Sequence, residues 1–154
     1  MKNSNILLNL LSLFLLVSCS NNDQNNRTTI ITPTVIGYGE LYGNGEENIS
    51  QQNMIITNST DWNNLKSQMN IVNNATEGFD EVGIDFATCK IIATFDQIRG
   101  NGGYTIDNST IIENADTIIV TIQQTSPTGA ATTVMTQPFK IVRIPISSKP
   151  IIFN

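Results

Sequence analysis

In the stretch QIRGNGGYTI, residues 97–106, Gly100, Gly102 and Gly103 surround Asn101, and Tyr104 follows at once. Adjacent glycines reach positive φ without a Cβ clash, so they turn the backbone sharply. A tyrosine beside them offers apolar area, a hydroxyl and little entropy to lose on contact, with glycine amides free to bond a partner's main chain. The stretch is therefore either a plain corner or a tip that docks on another protein. Covalent chemistry has fewer openings. The 154 residues include no histidine, which excludes a Ser-His-Asp or Cys-His arrangement within the chain. Zinc loses its usual ligands as well, leaving two distant cysteines and scattered carboxylates, so neither a metal site nor a cofactor is expected. Asp80, Glu81 and Asp85 lie together in GFDEVGIDF. They lack the spacing of a calcium loop and any partner that would set one pKa against another, and they read as solvated loop surface. No residue is assigned a catalytic role, and the chain is read as a non-enzyme.

One cysteine does point to chemistry. After Lys2, an apolar run from Ile6 to Val17 is short for a bilayer span and has the charge layout of a secretory signal. It ends in Leu16-Val17-Ser18-Cys19, which resembles the lipobox of bacterial lipoproteins. Ser18 is the small residue such cleavage requires, and the Cys19 thiol is the sulfur that would accept a diacylglycerol. Residues 1–18 then form a signal peptide, and residues 19–33, polar in SNNDQNNRTT, form a lipidated tether. Several acyl chains would make attachment to the membrane essentially permanent. The expected location is the bacterial cell envelope, with Ser20 after the cysteine suiting outer-membrane sorting. Cys89 is left without a disulfide partner; in CKIIATF it shares parity with Ile91, Ala93 and Phe95 and should face the core.

The elements that must position the 97–106 stretch follow from residue 34 to the end. Short apolar runs alternate with Gly, Asn and Pro: TVIGYGELYG, NMIITN, CKIIATF, GYTIDNSTI, DTIIVTIQQ, TTVMTQ and FKIVRIPI, with KPIIFN as a last short edge. Ile118, Val120 and Ile122 lie on one face of their run, and Val142, Ile144 and Ile146 lie opposite Arg143, the alternation of antiparallel strands with one wet face. Pro145 suggests an edge strand or a bulge. One helix is expected over about 60–72, with Ser59 or Thr60 as its cap, Asp61 at the positive end of its dipole, and Trp62, Leu65, Met69 and Val72 as its buried stripe. The fold class is α+β and β-rich: an antiparallel sheet of six or seven strands, curled or sandwich-like, with one short helix. The glycine stretch joins CKIIATFDQ to YTIDNSTI and is read as a hairpin tip, and SPTGAA as a second hairpin connection. The net charge of −5 leaves no basic patch to neutralise phosphates, which argues against nucleic acid.

Read in order, Asp85-Phe86, KIIATF, GNGGYTI, TIIVTIQQTSP, TQPFKIVRIP and KPIIF resemble the PrcB C-terminal domain family, named for a lipoprotein subunit of a surface protease complex. Gly102, Gly103 and Tyr104 match its Gly-Gly-Tyr positions, Pro127 and Pro138-Phe139 its proline positions, and Trp62 in TDWNNL its polar-Trp helix start. The family's Pro-Thr before that tip is Gly100-Asn101 here. The resemblance spans about residues 54–153 and implies a protein-binding accessory subunit of a secreted or surface protease. The tip is also similar to a loop of chagasin-type cysteine-protease inhibitors, which implies an inhibitor as the alternative. A structural or glycan-binding envelope lipoprotein is the third possibility. The oligomeric state is open.

Overall fold

The computed structural model describes residues 28–81 and 84–154. The signal peptide, Ser18, Cys19 and the tether through residue 27 lie outside the described residues. Among the described residues, eight strands form two four-stranded sheets. The inner sheet orders β2 (Thr34–Leu41), β7 (Gln137–Pro145), β4 (Cys89–Phe95) and β3 (Gln52–Ile56), all antiparallel. The outer sheet orders β1 (Thr29–Ile30), β5 (Thr105–Glu113), β6 (Ile118–Thr125) and β8 (Ile151–Phe153), antiparallel except that β8 runs parallel to β6. The helix α1 (Ser59–Met69) covers the other face of the inner sheet. The result is three layers, helix on sheet on sheet, the arrangement that lets both faces of a central sheet leave water.

That layering explains why β4 and β7 are apolar almost throughout. Ile91, Ala93 and Phe95 of β4, with Phe139 and Ile141 of β7, face Trp62, Leu65 and Met69 of the helix. Their alternate residues, Ile92, Val142 and Ile144, meet Ile111, Ile118 and Val120 of the outer sheet. The expected wet face holds for β5 and β6 but not for these two central strands. Cys89 faces inward at 4 % exposure, as its parity requires. Pro145 does not mark an edge: β7 lies between β2 and β4, and the proline is its last residue, where the missing N–H interrupts nothing.

The helix is three residues shorter at its end than the pattern suggested. Its N-cap is Asn58, not Ser59 or Thr60, because the Asn58 carboxamide oxygen accepts from the Asp61 N–H at 2.9 Å. It stops at Asn70, so Val72 falls outside the stripe and is exposed, while Trp62, Leu65 and Met69 are buried. The ring of Phe79 stacks on Trp62 with centroids 6.0 Å apart and lies over Gly37, where a Cβ would meet it at 2.2 Å. One glycine of TVIGYGELYG is thus the floor of an aromatic packing site, at the bulge between Val35 and Gly37. Two further expectations fail. TTVMTQ is not a strand of its own: Gln137 opens β7, Thr136 makes one bridge with Arg99, and the residues before them are loop, with Val134 and Met135 exposed. The expected tether to residue 33 includes β1 at Thr29–Ile30, and Ile31 donates to the Ile111 carbonyl at 2.8 Å, so the sheet begins before residue 34. Among the described residues no helix is long and apolar enough to cross a membrane.

Candidate functional site: a braced tyrosine beside the β2 edge

The stretch after β4 is not a hairpin tip. Strands β4 and β5 belong to different sheets, so residues 96–104 carry the chain across from the inner to the outer sheet; SPTGAA, between β6 and β7, crosses back. Two crossings side by side need more fixing than a two-residue turn, and the fixing is polar. Asp96 is fully buried at the end of β4. Its Oδ2 accepts from Arg99 Nε at 2.8 Å and Nη2 at 2.6 Å, and its Oδ1 accepts from the Gln97 N–H at 2.8 Å and Gln124 Nε2 at 2.9 Å. Gln137 donates to the Asp96 carbonyl at 2.8 Å and to the Ile49 carbonyl at 2.9 Å. Carboxylate and guanidinium meet in a charge-assisted pair that holds the arginine's plane in place.

That plane carries Tyr104. The Arg99 guanidinium carbon lies 4.6 Å from the ring centroid, a cation–π contact. The ring is half-buried, and among the described residues its hydroxyl has no hydrogen-bond partner. It lines a cleft of about 280 Å³ with Tyr38, Glu40, Ile106 and Phe139. Tyr38 is 73 % exposed, and Lys140 Nζ sits 4.8 Å from its ring centre. This strand, β2, is an edge of the inner sheet.

The three glycines prove to be unequal. Gly103 holds φ at +88°, and a Cβ there would stand 3.1 Å from Pro127. Gly102 is buried, and its Cβ would meet Thr132 Oγ1 at 2.6 Å. Gly100 has open space and an ordinary backbone. Both amides have acceptors within the chain: Gly102 N–H donates to the Thr132 carbonyl at 3.1 Å and Gly103 N–H to Glu40 Oε1 at 3.1 Å. The Thr136 hydroxyl lies 3.1 Å from the same Glu40 oxygen and 3.2 Å from the Asn101 carbonyl. A tip offering bare Gly102 and Gly103 amides to a partner is therefore not what this loop presents; it presents the tyrosine. Tyr42 donates to Glu40 Oε2 at 3.2 Å, and its phenol is pushed above the ordinary range by desolvation first, then by that hydrogen bond and the carboxylate's charge.

The residues singled out from sequence divide between the two sides of the inner sheet. Gly102, Gly103, Tyr104 and Pro127 converge at the crossing, and Pro138 lies opposite Glu40 with its carbonyl accepting the Asp96 N–H at 2.9 Å. Phe139 links the sides, under the cleft and tilted against Phe79 and Phe95. Trp62 and Phe86 pack in the helix-side core. Asp85 accepts from the Ala87 N–H through Oδ1 at 2.9 Å, and Glu81 pairs with Lys66 at 2.7 Å, so these carboxylates organise their own loop. No group of three metal-ligating side chains occurs among the described residues. Sequence reasoning missed Asp96, Arg99, Glu40 and Tyr38. Asp96 and Arg99 stand three apart in FDQIRG, directly before the glycines, which was the available signal. Nothing local linked either to Gln124 or Glu40. No protein-family model, curated protein or solved structure matches the chain.

Proposed function

We propose that this chain is a non-enzymatic envelope lipoprotein that binds another protein through the Tyr104 face, as an accessory subunit of a secreted or surface protease. The supporting observation is the tyrosine itself. A half-buried ring is braced on an arginine that is in turn clamped to a buried aspartate, with its hydroxyl unpartnered and an apolar cleft beside it. A rigid aromatic with an apolar body and a free polar end loses little entropy on association, and such residues dominate binding hot spots. The protease partner comes from the resemblance to the PrcB C-terminal domain family, and the membrane anchor from Cys19. The hydrogen-bonded amides of Gly102 and Gly103 weigh against the inhibitor reading, in which a bare loop enters a protease cleft. Trp62 is 3 % exposed, so it offers no stacking surface to a glycan.

The test is cross-linking and capture from membranes of the source bacterium with the full chain, with Tyr104→Ala and with Tyr104→Phe. A protease captured by the wild type, retained by Tyr104→Phe and lost with Tyr104→Ala supports the reading. Capture of the same proteins by all three, or of no protease, refutes it.

A further inference from the structure

We propose that the cavity along the outer edge of β2, beside Tyr38 to Tyr42, receives an arginine side chain of the partner protein; this rests on the protein-binding reading above and names the chemistry the partner must carry. The cavity, about 500 Å³, adjoins the Tyr104 cleft and shares Tyr38, Glu40 and Phe139 with it. Its walls include Tyr38, Tyr42, Glu40, Glu47 and Glu77, and among the described residues no lysine or arginine lines it. Acidic residues at a surface are usually just solvated, so their number alone decides nothing. Glu47 is different.

Glu47 is 1 % exposed. Its Oε1 accepts from the Gly43 N–H at 2.9 Å, while Oε2 has no hydrogen-bond partner among the described residues. The loop is built to hold this carboxyl inward. Asn44, Gly45 and Asn48 take left-handed φ of 53°, 90° and 54°, and a Cβ at residue 43 would come within 2.4 Å of either carboxyl oxygen, so only glycine leaves room. Burying a carboxyl with an unmet acceptor is unfavourable unless something compensates it. A cationic donor entering the cavity that Glu47 lines would do so.

The cation is better matched by a guanidinium than by a compact ion. No three acidic side chains among the described residues gather closely enough to hold a metal. A planar fork with five N–H donors spans separated oxygens and also lies flat on tyrosine rings. This surface already accepts cations in that way: Arg99 over Tyr104 at 4.6 Å and Lys140 over Tyr38 at 4.8 Å. The net charge of −5 would also draw a basic segment toward the molecule.

The experiment is a heteronuclear NMR titration of the full chain in detergent with the peptide acetyl-Gly-Gly-Arg-Gly-Gly-amide, and with its citrulline and lysine counterparts. Saturable shifts at the Tyr38, Tyr42, Gly43 and Glu77 amides are expected for arginine. Citrulline, the neutral near-isostere, should bind at least about tenfold more weakly, as loss of a charge-assisted hydrogen bond requires. Glu47→Gln keeps an acceptor for Gly43 and should weaken arginine binding; Glu77→Gln, at an exposed position, does the same with no bearing on folding. Equal shifts with arginine and citrulline, no shifts, or lysine binding as tightly as arginine would overturn the proposal. The outcome is separable from that of the capture experiment. A silent titration with Tyr104-dependent capture sinks the arginine site alone, and a positive titration without capture sinks the accessory reading alone.

Discussion

Replacing Asp96 with alanine removes the acceptor for Arg99 Nε and Nη2, for the Gln97 N–H and for Gln124 Nε2 in one step. Asp96 is 0 % exposed and the Arg99 side chain 18 %, so the variant strands a mostly buried guanidinium without a counter-charge. Removing one partner of a buried pair typically costs about 3–5 kcal/mol. The residual exposure of Arg99 places this case at the low end, about 3 kcal/mol. With a denaturant slope of about 2 kcal/mol per molar urea, the unfolding midpoint should fall by about 1.5 M. Adding Arg99→Met removes the stranded charge, so the double variant should be more stable than Asp96→Ala alone by about 1 kcal/mol or more, the non-additivity expected of groups in contact. The ring resonances of Tyr104, now without their brace, should move toward those of a free tyrosine in the single variant. A midpoint shift corresponding to less than about 1 kcal/mol, or a double variant that loses the full sum, would refute the claim that a buried ion pair holds this crossing in place.

Gly103→Ala should cost about 1–2 kcal/mol in chemical unfolding, from its positive φ and the Pro127 contact, whereas Gly100→Ala should change stability by less than about 0.5 kcal/mol. Gly37→Ala should push Phe79 off Trp62 and destabilise by about 1–3 kcal/mol, visible as a changed emission from the single tryptophan. For Tyr42 the folded phenol holds its proton to higher pH than the unfolded one. Its contribution to stability is therefore complete below the unfolded pKa and is lost as pH rises through the folded value. Ultraviolet titration should show a late Tyr42 step that vanishes in Tyr42→Phe and moves earlier in Glu40→Gln.

Much of this molecule was legible along the chain because its cause is local. Apart from TTVMTQ, the β-branched runs became strands within a few residues of their expected ends, since period-two burial needs only the run itself. Trp62, Leu65 and Met69 recur at helical spacing, and the helix formed on them. The cap went to Asn58 and Val72 dropped out because Asn58 captured the Asp61 amide and the chain turned at Asn70. The corner around Gly102 and Gly103 was also readable, as a place where only glycine serves.

What the chain could not reveal by itself is which runs lie side by side. Adjacent strands separated by a glycine turn ordinarily pair, and β4 and β5 do not, because each finds a better-buried neighbour elsewhere: β7 for β4, β6 for β5. Whether a strand has one wet face or none is settled by whether a second layer covers it, which made β4 and β7 dry on both sides. The same packing turned an expected bare tip into a clamped crossing. Glu40, 63 positions away from Gly103, takes its amide, and Gln124 reaches Asp96 across 28. Contacts at such separations arise only once two sheets have stacked, and it is they that occupy the Gly102 and Gly103 amides and leave Tyr104 half-buried beside the cleft.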